Sequence, residues 1–149
     1  MYIAHHIVKY DVMNNAKSLS RILCFVASGL LLAMAAFHGS GIFYMQDLIQ
    51  DSDSPDIIKQ VFPVLFILPS IELAGLALFG IIAPSLKQYA ARILFPLATL
   101  VLINALLAFY LTALIPGFIL MAPSLIYFYA AYEFKYLSAH HSLQSLKGS

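Results

Sequence analysis

The chain has 149 residues, of which 62% are apolar and 10% charged, against ~45–50% and ~25% in ordinary soluble domains, with a net charge of +1. So few charges cannot coat a soluble domain of this size, and the mean hydropathy of +0.88 makes lipid the solvent for most of the chain. A soluble globular enzyme, a disordered chain, a nucleic-acid binder and a disulfide scaffold are excluded on composition alone.

The first 20 residues carry Lys9 and Lys17 and end just before Arg21. Ile3, Ile7, Tyr10 and Met13 recur at helical spacing, so this tail reads either as a short helix on the inner membrane surface or as a disordered segment. The first span, 21–45, is long enough to cross ~30 Å of hydrocarbon. Ala33-Met34-Ala35 resembles a signal-peptide cleavage site, but the apolar run continues through Ala36, Phe37, Ile42, Phe43 and Tyr44, which points to an uncleaved span. Within it Gly29, Ala33, Ala36 and Ser40 form a small-residue face. That face lets helices approach closely, inside the bundle by default, or against a protein partner or a second copy of the chain. Cys24, the one cysteine, reads as a small hydrophobe.

Residues 47–59 form an acidic loop, with Asp47, Asp51, Asp53 and Asp56 against Lys59. Ser54-Pro55-Asp56 has the chemistry of a helix start: a capping hydroxyl, a proline in the first turn and an acid at the positive dipole end. Asp51-Ser52-Asp53 opens like a calcium loop but fails at the glycine and final-ligand positions, held by Asp56 and Phe62. The second span, 61–83, is followed by a short connection with Lys87. The third is 90–113 and the fourth 117–137, separated by Leu114-Ile115-Pro116-Gly117, a tight turn that makes them antiparallel neighbours. Pro69, Pro96 and Pro123 fall inside the last three spans, where proline kinks a helix, and kinks around an acid could open a cavity. The fourth span is crowded with aromatics, and its tail, 138–149, is polar and reads as mobile.

The expected fold is therefore all-α, one domain, a four-transmembrane-helix antiparallel bundle. Four crossings put Lys9, Lys17, Arg21, Lys87, Arg92, Lys135 and Lys147 on one face of the membrane and Lys59 on the other. Positive residues stay inside, so both termini are expected in the cytoplasm; the short loops and compact chain point to a bacterial inner membrane, with an organelle membrane as the alternative.

Polar side chains within spans are costly and mark where to look for function. Glu72 is the midpoint of the second span, and His38 lies ~7 Å outward of the first span's midpoint. Asn104 and Ser124 sit slightly outward of the middle of the third and fourth spans, and Tyr127 is deep enough to line a cavity. Four helices each offering a polar group at similar depth predict one polar cluster in the bundle core. Such a cluster could hold the polar head of a lipophilic ligand, transfer protons through a Glu72–His38 pair, or simply bond helix to helix. His5-His6 and His140-His141 could bind a metal only if the tails met, and no metal or cofactor motif is present.

Phe37-His38-Gly39, a mid-span Glu72 and the four-span plan over most of the chain resemble the DoxX-like membrane proteins in layout. They also look distantly like the sterol-isomerase-type four-helix fold, whose members use acidic and histidine side chains inside the bundle. These resemblances imply a four-helix membrane fold and assign no catalytic residue. Two functions follow. One is a non-enzymatic accessory subunit or lipophilic small-molecule binder. The alternative is a lipid or terpenoid isomerase or cyclase using Glu72 and His38 as acid and base.

Overall fold

In a computed structural model, the backbone is described for residues 2–147 and the side chains for 17–86 and 89–136. The chain forms α1 (Tyr2–Gln50), α2 (Asp56–Ile82), a 3-10 segment (Ala83–Tyr89), α3 (Ala90–Tyr110) and α4 (Leu114–Lys147). There is no strand among the described residues. Four stretches are long and apolar enough to cross a membrane: Lys17–Gln50, Asp56–Leu86, Ala90–Tyr110 and Leu114–Tyr136. The shortest of them, the 21 residues of α3, rises ~32 Å, matching the hydrocarbon thickness.

Each helix buries one narrow stripe. On α1 it is Cys24, Ala27, Ser28, Leu31, Met34 and Ala35; on α3 it is Leu94, Leu97, Ala98, Val101 and Ala105. These positions recur every three to four residues, which keeps them on one side of a 3.6-residue helix. Many are alanine or serine, so the backbones approach closely. The remaining circumference is large and apolar: Leu65, Phe79, Phe95 and Ile103 are all more than half exposed. In water such a surface would be an aggregation liability, whereas in lipid it is the solvated face.

Contacts give the order of the helices around the bundle. α1 packs along α2 and α4, and α4 packs along α3, while α2 and α3 scarcely touch. Pairings run antiparallel: Gln50 with Lys59 and His38 with Phe66 across α1/α2, and Phe95 with Phe128 and Phe109 with Phe118 across α3/α4. The molecule is thus two helical hairpins joined along α1 and α4, with a seam between α2 and α3.

Several boundaries differ from those read in the sequence. The N-terminal segment is helical and runs into the first span without a break, because α1 is continuous from Tyr2. Likewise α4 runs on to Lys147. The acidic loop shrinks to residues 51–55, with Asp47 in α1 and Lys59 in α2. Pro55, rather than Ser54, is the N-cap of α2 and makes no side-chain cap bond. Ser54 instead faces Ser52, with their hydroxyl oxygens 2.9 Å apart. The tight turn lies at 111–113, just before the Leu114-Ile115-Pro116-Gly117 stretch read as the turn, and Leu114 already belongs to α4.

Both turns have chemical causes. At the tip of the first hairpin, Pro63 has no N–H to give the Lys59 carbonyl. The Gln50 amide reaches that carbonyl at 3.5 Å, and Lys59 Nζ returns a 2.8 Å bond to the Gln50 carbonyl at the end of α1. At the end of α3, Thr112 has φ 62°. Thr112 N–H bonds the Phe109 carbonyl and Ala113 N–H bonds the Ala108 carbonyl, closing the helix with a left-handed residue.

Candidate functional site

The five polar residues singled out in the sequence do not form one cluster. They separate into three arrangements that differ in depth and in face.

The innermost is a buried network between α1 and α4, beside Gly80 of α2. Ser28 Oγ donates to the Cys24 carbonyl at 2.8 Å, which uses its single hydrogen. The Tyr127 hydroxyl, 2.8 Å away, therefore donates to Ser28. Both side chains are fully buried. Gly80 makes room for them, since a Cβ there would land on the Tyr127 hydroxyl and Ser28 Oγ. Ser124, also fully buried, donates to the Ala98 carbonyl of α3 at 3.0 Å. Tyr127 and Ser124 thus act as helix-to-helix bonds, and Ser28 takes up the Tyr127 hydroxyl.

His38 sits in the α1/α2 interface, half-buried. Its ring stacks on Phe66 with centroids 4.8 Å apart and planes 12° apart. Nε2 lies 3.2 Å from the Phe66 carbonyl. A carbonyl only accepts, so that nitrogen carries the hydrogen. Ser70 is buried beside it against Gly39, where a Cβ would stand 3.3 Å from Ser70 Oγ.

Glu72 and Asn104 are the third arrangement. Asn104 Nδ2 donates to Glu72 Oε1 at 2.9 Å and to the Leu100 carbonyl, one turn back on α3, at 3.1 Å. Glu72 is exposed and Asn104 half-buried. This corrects the expectation of a core cluster: the pair lies on the α2/α3 seam, at the edge of the bundle, with Glu72 on its outer surface. Ala98, the partner of Ser124, is six residues along α3 from Asn104, or ~9 Å. Gly80, beside Tyr127, is eight residues along α2 from Glu72, or ~12 Å.

His38 lies on the Asp56 side of Glu72 along α2: its partner Phe66 is six residues before Glu72, or ~9 Å, and Ser70, packed against the neighbouring Gly39, is two residues before it. Helix rotation separates them: Ser70 is buried while Glu72 is exposed. No bond joins Glu72 and His38, so the acid–base pair is not assembled. Gly75, one turn from Glu72, adds an opening, since nothing lies within 4 Å of where its Cβ would be.

The small-residue face of α1 also differs from expectation. Gly29, Ala33, Ala36 and Ser40 are exposed rather than packed inside, and a Cβ at Gly29 would meet nothing within 4 Å. The close packing of α1 uses Ala27, Ser28, Leu31 and Ala35 instead. The sequence reading missed Ser28, Gly80 and Gln50, and took Lys59 only as a loop charge. Gly80 could have been found only by knowing which residue opposes it. The Pro63-to-Lys59 spacing of four did carry a signal, because it identifies a carbonyl without a donor. No group of three or more metal-binding side chains occurs among the described residues. The paired histidines of both tails lie outside the described side chains. No protein-family model, characterised protein or solved structure matches the chain.

Proposed function

We propose that this protein binds a lipid-soluble small molecule at the α2/α3 seam, from within the membrane, without catalysing a reaction. The observation that carries this reading is the position of Glu72: exposed at the edge of the bundle within an apolar span, steadied by Asn104, and flanked by the open space at Gly75. A carboxyl in hydrocarbon is expensive and is normally turned into the bundle or a watery cavity. One held at an open edge is suited to meet a polar head that arrives through the bilayer. In this reading the termini face the cytoplasm of a bacterial cell and the 51–55 loop faces outward, in keeping with the positive residues. The test is purification in mild detergent followed by mass spectrometry of co-purifying lipids. One species should accompany the wild-type protein and be lost from Glu72→Leu. Identical lipid profiles for the two proteins would remove the proposal.

A second reading is favoured by the exposed face of α1. Gly29, Ala33, Ala36 and Ser40 offer a groove against which another helix, from a second copy or a larger complex, could lie. Cysteine introduced at Ala33 should then form a disulfide-linked dimer in native membranes, and a wholly monomeric product would count against self-association.

A further inference from the structure

Hydroxyl side chains within these helices return their hydrogen to the backbone. Ser28 donates to the Cys24 carbonyl at 2.8 Å and Thr99 to the Phe95 carbonyl at 3.0 Å, each four residues back. Such a carbonyl takes the helical N–H on one lone pair and the hydroxyl on the other. Ser70 stands in the same relation to Phe66 and makes no such bond. Its Oγ bonds no group among the described residues, although Ser70 is only 8% exposed. It points at α1 instead, 3.3 Å from where a Cβ on Gly39 would be.

The cause lies across the helix interface. His38 Nε2 donates to the Phe66 carbonyl at 3.2 Å. The position that Ser28 and Thr99 fill on their own helices is filled at Phe66 from α1. Ring charge does not alter this, because a neutral ring with its hydrogen on Nε2 and an imidazolium both donate there. The same turn of α2 is already short of a donor, since Pro69 has no N–H for the Leu65 carbonyl.

We infer that His38 and Ser70 are alternative donors to one acceptor, which makes His38 a detachable latch between α1 and α2. With His38 in place, the Ser70 hydroxyl is held off and unbonded. When His38 withdraws, rotation of Ser70 about χ1 brings its hydrogen onto the Phe66 carbonyl. That carbonyl keeps its second donor, and the buried hydroxyl gains the partner it lacked. Leaving a buried donor unmade is the larger penalty in such an exchange, so the handover offsets the loss of the imidazole bond. It takes place beside Pro69, where α2 bends most readily.

The test reads the donors on the Phe66 carbonyl. Phe–Ile steps occur at 66–67 and 118–119. The full chain in micelles, labelled with carbonyl-13C phenylalanine and 15N isoleucine, therefore gives a Phe66 peak, with Phe118 as internal control. Losing a donor moves a carbonyl 13C peak upfield. Ser70→Ala should leave the Phe66 peak in place in the wild-type protein, where His38 is the donor. In the His38→Phe background, which keeps an aromatic ring against Phe66, Ser70→Ala should move it upfield. The same effect of Ser70→Ala in both backgrounds overturns the inference. Should the double variant fail to fold, the χ1 coupling of Ser70 in His38→Phe decides alone. A change to the rotamer that bonds the residue four back supports the latch, and an unchanged rotamer overturns it.

Discussion

At the scale of single residues, the tightest constraint is Gly80. Its missing side chain is occupied by the Tyr127 hydroxyl and Ser28 Oγ, two groups bonded to each other in a fully buried position. Gly80→Ala must displace one of them or push α2 outward. Overpacking of this kind costs ~1–3 kcal/mol, and the thermal midpoint in detergent should fall. Gly75→Ala, with open space at the same atom, should leave that midpoint nearly unchanged. Two glycines on one helix are thus expected to differ for a reason visible only in their surroundings. The contrast also separates packing from function, since Gly75 borders the seam and Gly80 does not.

At the scale of helices, the α3/α4 turn carries strain. Thr112 is β-branched and left-handed, a conformation that costs an L-residue ~1–2 kcal/mol and that glycine adopts freely. Thr112→Gly should keep both closing bonds, to Phe109 and Ala108, and raise the thermal midpoint by an amount corresponding to about 1 kcal/mol. The same elements show what the sequence could convey. Length and apolarity were enough to find four spans, because lipid demands ~20 apolar residues per crossing and leaves few alternatives. Helix ends were less legible. Outside hydrocarbon nothing forces a helix to stop, so α1 and α4 run past their apolar segments. Facing was the least legible. A membrane helix is apolar on every side, so the contrast that reveals the buried face of a soluble helix is missing. Gly29, Ala33, Ala36 and Ser40 therefore read as a packing stripe, although the neighbouring stripe through Ala27 and Ser28 is the one that packs. Glu72 and Asn104 were recognisable as exceptional, but their outward position depends on α2 and α3 failing to meet.

At the scale of the molecule, two hairpins share a spine and have one loose edge. The α1/α4 spine is held by the Ser28–Tyr127 bond and close alanine packing, whereas α2 and α3 are tied by the Glu72–Asn104 bond. A bond between membrane helices averages about 0.6 kcal/mol, close to thermal energy. Removing it should widen the seam without unfolding the bundle. Spin labels at Leu68 and Leu107 should report a broader distance distribution in Asn104→Leu, while labels at Ile103 and Ile119 across α3/α4 should not change. Equal broadening of both pairs would mean that the hairpins are not independent units.

On the proposed reading of the α2/α3 seam as a ligand site, its open edge changes what concentration means for this protein. A molecule reaching Glu72 sideways never leaves the bilayer, so occupancy follows its mole fraction among the lipids rather than its amount in water. A sparingly soluble compound can then saturate the seam, and dilution with detergent or added lipid would empty it at constant total ligand. Affinities should accordingly be expressed per lipid, and they should shift with membrane composition even where no lipid touches the protein differently.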